Sequence, residues 1–288
     1  ADWHSLTTHP HPGDVTANVR KILSEYLACG IDPEKAAIYV QSDVKEVLEL
    51  YLYLNMNAYL GELQRVTSFK EKARKQPENV NAGLLTYPTL MAADILIHRA
   101  DKVPVGKDQE QNMEMARKFA RRFNTIYGVE FFPEPQSYSF GGDAIKVPGL
   151  DGSGKMGKSE GNAIYLIDDA ATIRKKVMKA VTDSGPTQPN SEKPEAIANL
   201  FTMLKIVSSA DTYDYFNEKY NACEIRYGDL KKQLAEDIVN FTSPIRERIL
   251  AYAADTEYMD KVAREGAEKA RASADKTIRE VRKIIGFN

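Results

Sequence analysis

The stretch KVPVG at residues 102–106, with the segment that follows it as far as Gly128, decides the fold. A short apolar run that ends in glycine is typical of a strand, and residues 108–127 carry apolar side chains at helical spacing. Asp108 suits the first turn of this helix and Gly128 suits its end. The predicted buried stripe of the helix consists of Met113, Ala116, Phe119, Ala120 and Phe123. A strand followed by a helix of this length predicts parallel β/α architecture.

The same alternation of elements extends toward the N-terminus. Residues 37–40, AIYV, are an apolar run of strand type, and residues 81–97 have a helical pattern that we expect to be interrupted at Pro88. The opening residues 1–4, ADWH, resemble the end of a strand. One further helix is predicted from an apolar face formed by Val19, Ile22, Leu23, Tyr26 and Leu27.

The C-terminal half has a different pattern. From about residue 173 onward the sequence predicts helix after helix, and the last helix covers roughly residues 260–285. We therefore predict an α/β domain at residues 1–162 and an α-helical domain at residues 163–288. Positive charge is concentrated at the end of the chain, since residues 261–288 carry eight basic and four acidic side chains.

Composition excludes several classes of protein. The chain has 39 basic and 41 acidic residues, so no overall positive field can hold nucleic acid, and a polyanion must meet local basic patches. Two cysteines, no Cys-x-x-Cys pair and four histidines predict neither a disulfide framework nor a zinc or iron–sulfur site. No apolar stretch reaches the roughly 18 residues of a membrane span. We therefore expect a cytoplasmic protein that does not enter a membrane.

The segment DGSGKMGKSEGN at residues 151–162 carries the sharpest chemical signal. Its glycines allow close approach of the backbone to a ligand, and Lys155 and Lys158 are compact positive charges that suit the oxygens of a polyphosphate. A solvated surface loop is the alternative interpretation. The ordered string Lys-Met-Gly-Lys-Ser favours the phosphate site.

That string resembles the Lys-Met-Ser-Lys-Ser signature of class I aminoacyl-tRNA synthetases. Further segments are similar to the tryptophanyl-tRNA synthetase family, in order along nearly the whole chain. They are FKEK at 69–72, NAGLLTYP at 81–88, LMAADIL at 90–96, VPVGKDQ at 103–109 and AVTDS at 180–184. The resemblance implies a Rossmann-like class I catalytic domain with a parallel sheet, followed by an α-helical domain that binds the anticodon.

The resemblance implies that Asp94 reads the indole ring of tryptophan. An indole N–H only donates and a carboxylate only accepts, so a ring without that N–H leaves a buried carboxylate unpaired. A structural salt bridge or helix-end contact is the alternative role for this aspartate. The other residues that the resemblance assigns to tryptophan are His4, Tyr87, Met91, Val103, Val105 and Gln109.

The resemblance also implies which residues bind ATP. They are Gly106, Lys107, Asp108, Val147, Lys155, Met156, Gly157, Lys158 and Ser159. Lys72, Lys155 and Lys158 are expected to stabilise the leaving pyrophosphate by charge. The Mg²⁺ ion arrives on the nucleotide and needs no protein ligands. The implied partners are tryptophan, ATP and tRNA, and the family forms homodimers.

Several features depart from the family pattern. Ser68, Asn112 and Gly157 replace the usual Gln, His and Ser. The second class I signature is not found, because HPGD at 11–14 follows the ADWH segment that the true motif precedes. We therefore expect an N-terminal segment with the first strand and this motif to be missing, and a protein that lacks it should not activate tryptophan. A tyrosyl-tRNA synthetase and a catalytically dead tRNA-binding module are the alternatives.

Overall fold

The computed structural model describes residues 1–138, 146–157 and 160–287 of the chain. It divides into two compact units. The first unit comprises Ala1–Leu23, Ile31–Gly142 and Asp255–Asn288, and the second comprises Ser24–Gly30 and Asp143–Ala254. The units thus differ from the functional domains expected from the sequence, which stay a proposal. No helix in the described part of the chain is long and apolar enough to cross a membrane.

Helices make up most of the described structure. In chain order they are α1 (Asp2–Ser5), α2 (Pro12–Ala28), α3 (Glu46–Met56), α4 (Leu60–Leu63), α5 (Thr67–Lys75), α6 (Ala82–Leu96), α7 (Glu110–Tyr127), α8 (Ala170–Met178), α9 (Glu195–Val207), α10 (Ala210–Asn221), α11 (Tyr227–Ala254) and α12 (Thr256–Ile285). The strands are β1 (Lys102–Pro104) and β2 (Gln136–Tyr138), which pair in parallel with Val103 opposite Ser137.

The strand and helix predicted around Gly106 are confirmed. β1 is followed by a short 3₁₀ turn at Lys107–Gln109 and then by α7. Gly128 ends α7 with φ of 63°, a left-handed conformation that glycine adopts without strain. The five residues of the predicted stripe are each at most 1% exposed. A parallel strand pair connected through a long helix is the expected β/α unit.

The core of the first unit lies where α3, α6, α7 and α12 meet. Leu50, Leu96 and Phe119 are buried there, and Ala274 of α12 packs into the same cluster. The last helix also approaches the backbone at residue 38 very closely, because a Cβ on Gly266 would lie 1.9 Å from the Ile38 carbonyl oxygen. Only glycine fits at this crossing.

Three local predictions are wrong. Residues 1–4 do not end a strand, because α1 begins at Asp2, whose carboxylate accepts from the Ser42 amide at 3.0 Å. Residues 37–40 form no strand, since no described strand pairs with them. α6 continues through Pro88, whose missing N–H removes only one helical hydrogen bond.

The apolar face predicted for α2 is confirmed in part. Leu23 and Leu27 are buried, as the helical spacing predicts. Ile22 and Tyr26 are 47% and 50% exposed. Apolar spacing therefore located the helix correctly but overstated the width of its buried face.

The core of the second unit is formed by α8, α9, α10 and α11, as the helical pattern predicts for this part of the chain. Val177 of α8, Leu200 of α9 and Tyr220 of α10 are buried together with Leu230 and Leu234 of α11. The Met156 side chain packs against this cluster from the lysine-containing segment. The segment is thus attached to a helical scaffold.

Candidate active site

A carboxylate with three hydrogen bonds from two side chains lies in the first unit. Asp94 on α6 accepts from His4 Nε2 at 3.0 Å, and Gln41 Nε2 lies 2.8 Å from each of its two carboxylate oxygens. A carboxylate only accepts, so Nε2 of His4 carries the proton in this contact. Gln41 is 5% exposed, whereas the Asp94 side chain keeps 28% of its surface accessible. Asp94 is therefore held in place but still open to a ligand.

Local hydrogen bonds explain why α6 and the N-terminal turn face each other. Asn81 caps α6 by accepting from the Leu84 amide at 2.9 Å, and its own amide donates to the Thr7 carbonyl at 3.0 Å. The Asn79 side chain donates to the same carbonyl at 3.1 Å. These bonds connect the start of α6 to Thr7, which follows His4 by three positions in the sequence. The connection keeps the His4 imidazole beside Asp94.

Aromatic and basic side chains extend this site along α6. Tyr87 precedes Asp94 by two helical turns, and its ring centroid lies 4.4 Å from that of His4. The Lys72 ammonium lies 3.6 Å from the centre of the Tyr87 ring. Burial lowers the pKa of Lys72, and burial together with the charge of Asp94 raises the pKa of Tyr87. The structure thus brings together four residues that sequence reasoning assigned to the site.

The other residues expected at the tryptophan site have separate contacts. Met91, Val103 and Val105 are partly buried and pack against the core of the first unit. Gln109 donates to Asp108 Oδ2 at 3.0 Å and accepts from the Asn112 amide at 2.9 Å. No hydrogen bond joins Gln109 to Asp94 within the described residues. Its role toward the substrate amino group stays a prediction.

Sequence reasoning missed Gln41, Tyr39 and His98. The Tyr39 hydroxyl lies 2.8 Å from His98 Nε2, and His98 Nδ1 lies 3.1 Å from the Ser273 hydroxyl on α12. Burial lowers the pKa of His98, and the charge of Asp94 partly opposes this effect. The sequence offered one hint for Gln41, namely its position directly after the apolar run at 37–40. This hint is weak, because a glutamine at such a position does not by itself indicate a catalytic role.

The turn after β1 shows why glycine is needed at position 106. A Cβ on Gly106 would lie 2.6 Å from Asp108 Oδ1, so a larger residue would displace that carboxylate. The Lys107 side chain is outside the described part of the structure. The turn leaves the Gly106 backbone accessible, as a nucleotide contact requires.

The lysine-containing segment belongs to the second unit. The Met156 amide donates to the Val147 carbonyl at 2.9 Å, and the Gly149 amide donates to the Ser153 carbonyl at 2.9 Å. Lys155 is exposed and makes no ion pair with a described residue. Lys158 and Ser159 lie outside the described residues. The geometry gives an anchored loop with an accessible ammonium group beside its glycines.

No group of three or more His, Cys, Asp or Glu side chains that could hold a metal ion is found in the described part of the chain. Cys29 and Cys223 are both free thiols and both exposed. The candidate residues of the first unit are one held carboxylate, an aromatic wall and the Lys72 ammonium, which suit recognition of a donor-bearing ring. The second unit by itself carries the exposed Lys155, which suits phosphate charge.

Comparison with known proteins supplies the context for this geometry. Residues 1–243 match the family described as tRNA synthetases class I (W and Y). The chain is 78% identical over 287 residues to a tryptophan–tRNA ligase of Porphyromonas gingivalis, covering 100% of this chain and 88% of the relative. It is 40% identical over 290 residues to a tryptophan–tRNA ligase of Listeria monocytogenes, covering 99% and 86%.

Solved structures agree with this result. The tryptophanyl-tRNA synthetase of Campylobacter jejuni, crystallised with ADP and tryptophan, has a TM-score of 0.87 and 32% identity, and the match covers 99% of this chain and 88% of that one. The predicted class I fold, Rossmann-like with an additional helical domain, is thereby confirmed. Enzymes of this class use ATP. The family match over most of the sequence and the 78% identity together show that this chain belongs to the class I tRNA synthetases of the tryptophan and tyrosine family.

Proposed function

We propose that the chain is a tryptophan–tRNA ligase. The tryptophan carboxylate attacks the α-phosphate of ATP, which forms tryptophanyl-adenylate and releases pyrophosphate. The terminal ribose of tRNA then takes the tryptophanyl group and releases AMP. The observation that carries the proposal is Asp94, held by His4 and Gln41 and still accessible beside the Tyr87 ring.

The held carboxylate accounts for recognition of the ring. Two carboxylate oxygens offer about four acceptor positions, and the protein donors occupy three contacts, so an indole N–H can add to them. A phenyl ring brings no donor, which leaves the carboxylate desolvated without full compensation. The 78% identical relative is named for tryptophan, which favours tryptophan over the tyrosine alternative.

Charge stabilisation accounts for activation. No protein nucleophile is needed, because the substrate carboxylate attacks directly. Lys72, Lys155 and Lys158 lower the barrier by binding the pyrophosphate more tightly as negative charge develops on it. Mg²⁺ reaches the site as part of the ATP substrate. Gly106, Asp108 and Val147 contact the adenosine through exposed backbone and a carboxylate.

We further propose that two copies of the chain form a homodimer. Large apolar side chains are exposed along one side of α3 and the start of α4, at the spacing of a helical stripe. They are Leu48 (42% exposed), Leu52 (49%), Met56 (76%), Tyr59 (62%) and Leu60 (59%). A second copy covers this surface, so light scattering should give twice the mass of one chain, and Met56→Lys should give monomers.

The remaining proposals concern tRNA and the cell. The helical domain at 163–288 contacts the anticodon, and the near-neutral net charge implies local phosphate contacts and a modest salt dependence. Several basic side chains near the C-terminus are already paired, such as Arg279 with Asp275 and Lys283 with Glu280. The protein works in the cytoplasm, where exposed thiols stay reduced.

Amino-acid-dependent exchange of pyrophosphate into ATP tests the proposed function. The exchange assays here and below use a protein extended at its N-terminus to include the second class I signature. We expect it to catalyse exchange with tryptophan and Mg²⁺, and tyrosine to support little exchange. Exchange with tyrosine instead would establish the tyrosyl alternative. Binding of tRNA without exchange with either amino acid would favour a catalytically inactive tRNA-binding module.

A further inference from the structure

A buried amide side chain organises the lysine-containing loop. Asn162 is only 5% exposed, and its Nδ2 lies 2.9 Å from Asp151 Oδ1, 3.0 Å from Ser153 Oγ and 3.0 Å from the Lys155 carbonyl oxygen. Its Oδ1 accepts from the Gly157 amide at 2.9 Å. One side chain thus contacts positions 151, 153, 155 and 157 of the loop.

Two of these contacts hold the backbone at and just after Lys155, and the other two hold the side chains of Asp151 and Ser153, which precede it. The Lys155 carbonyl accepts from Asn162, and two residues further on the Gly157 amide donates to it. A segment with this many glycines loses much conformational entropy when it is ordered. The free energy of these contacts, three made by the Nδ2 amino group and one accepted by Oδ1 from the Gly157 amide, offsets part of that cost. No other described side chain contacts as many positions of the loop.

Gly149 leaves room for the Asn162 amide, and Asn199 holds the same loop from α9. A Cβ on Gly149 would lie 2.2 Å from Asn162 Nδ2 and 2.5 Å from Asp151 Oδ1, so only glycine fits over the cluster. Asn199 on α9 donates to the carbonyls of Gly152 and Ser153, each at 3.0 Å. The loop is therefore connected through its backbone to the helical core of the second unit.

The electrostatics of the cluster require a neutral donor at position 162. Hydrogen bonds from Ser153 and Asn162 lower the pKa of Asp151 to about 2, so its carboxylate is charged at neutral pH. An aspartate at 162 would place a second negative charge about 3 Å from it, in place of a donor. Asparagine supplies both the donors and the acceptor that the loop uses.

We propose that Asn162 is a positioning residue for ATP, which holds the Lys155 carbonyl and the Gly157 amide so that the Lys155 ammonium group meets the phosphates in one orientation. This inference rests on the proposed tryptophan activation and extends it to a residue outside the lysine signature. Asn162 itself does not touch the nucleotide. Its effect reaches the phosphates through the geometry of residues 151–157.

Two variants separate this role from a general effect on folding. Asn162→Ala removes all four hydrogen bonds, and Asn162→Asp keeps the size but adds the repelling charge. We expect Asn162→Ala to raise the KM for ATP about tenfold in pyrophosphate exchange, and Asn162→Asp to raise it further, with the KM for tryptophan unchanged within twofold. Asn240→Ala, at an exposed position of α11, is the matched control and should behave as the wild type.

Hydrogen exchange provides a readout that does not depend on catalysis. In Asn162→Ala the amides of residues 153–157 should exchange at least tenfold faster, while those of α8 and α11 keep their wild-type rates. Wild-type exchange rates in the loop would overturn the inference, whatever the activity. An equal loss of affinity for tryptophan and ATP would also overturn it. A wild-type chain that shows no pyrophosphate exchange would instead count against the proposed function.

Discussion

The Asp94 pocket of the first unit, which we define as Asp94 with His4, Gln41 and Tyr87, and the lysine loop of the second unit are organised in opposite ways. In the pocket, side chains hold a functional side chain, since His4 and Gln41 both bind the Asp94 carboxylate. In the loop, Asn162 and Asn199 hold the backbone, and the Lys155 ammonium has no partner among the described residues.

The difference follows from the two tasks. A rigid planar ring is distinguished best by an acceptor whose position is fixed before binding, because a fixed acceptor discriminates strongly between rings with and without a donor. A polyphosphate changes shape and charge during reaction, and lysines on a held backbone can follow its oxygens. The comparison predicts that changes in the pocket alter the choice of amino acid, whereas changes in the loop alter the rate of activation.

The largest effect is expected for Asp94→Ala. Without the acceptor, kcat/KM for tryptophan should fall by about 10³, or roughly 4 kcal/mol, since each tenfold change is about 1.4 kcal/mol. Folding should be intact because Asp94 is partly exposed and belongs to a long helix. Pyrophosphate exchange and thermal melting measure the two effects.

Asp101→Ala is the matched control for that variant, since Asp101 is exposed and its backbone carbonyl, rather than its carboxylate, accepts from Gln136. The control should retain wild-type activation. Activation that is unchanged in Asp94→Ala would refute the assignment of the pocket.

A smaller, different effect is expected for Lys158→Ala. Loss of one phosphate-binding charge should lower the rate of adenylate formation about 30-fold to 100-fold, with the Kd for tryptophan unchanged within twofold. Single-turnover kinetics and equilibrium binding separate the two quantities. The exposed Lys175 on α8 offers a control, Lys175→Ala. Equal losses of rate and tryptophan affinity in Lys158→Ala would contradict the prediction that the loop affects the rate of activation and the pocket affects the binding of the amino acid.

An intermediate loss is expected for Gln41→Leu, which keeps the volume but removes both bonds to Asp94 and the acceptor for the Trp3 amide. The KM for tryptophan should rise about tenfold, because the carboxylate loses its fixed orientation while its charge remains. The KM for ATP should stay near the wild-type value. A change in the KM for ATP alone would show that Gln41 does not contribute to the binding of tryptophan.

The smallest effect concerns stability of the first unit. Arg282 on α12 donates two hydrogen bonds to Glu49 on α3, at 2.7 and 2.5 Å, and these bonds lower the pKa of Glu49. Both side chains are partly exposed, so Glu49→Gln should cost only about 1 kcal/mol at pH 7. Trp3, the one tryptophan, packs in the first unit, so its fluorescence during urea unfolding reports on that unit.

The pH dependence of this stabilisation has a definite sign. A carboxyl group whose pKa is lowered by folding adds stability at pH values above its unfolded pKa, near 4.5, and loses it as the pH falls through the lowered value. Wild type and Glu49→Gln should therefore differ at pH 7 and converge in acid. A difference that persists at pH 2 would assign the effect to packing rather than to the ion pair.

Local patterns predicted part of the fold. β1, α7 and the buried stripe from Met113 to Phe123 follow from spacing and end signals within one segment. The errors at residues 1–4 and 37–40 concern segments whose conformation depends on distant partners. Ser42 binds Asp2, and Gly266 contacts the backbone at Ile38. No pattern within four residues contains that information.

At the candidate site, too, sequence patterns did not reveal contacts between residues that are distant in the sequence. His4, Lys72, Tyr87 and Asp94 were found from motif resemblance, and the structure places them side by side in the first unit. Gln41 was missed because its function comes from a contact across 53 positions in sequence. Asn162 was quoted as part of the loop but received no role, since its burial and four bonds exist only in the folded state.

Equilibrium dialysis of labelled tryptophan and tyrosine against the wild type and Asp94→Asn tests the central claim most directly. The variant keeps the size of the side chain and replaces the charged acceptor with a neutral amide. We predict that the wild type binds tryptophan at least tenfold more tightly than tyrosine and that Asp94→Asn loses most of this affinity. Preference for tyrosine, or undiminished binding of tryptophan by Asp94→Asn, would contradict the account.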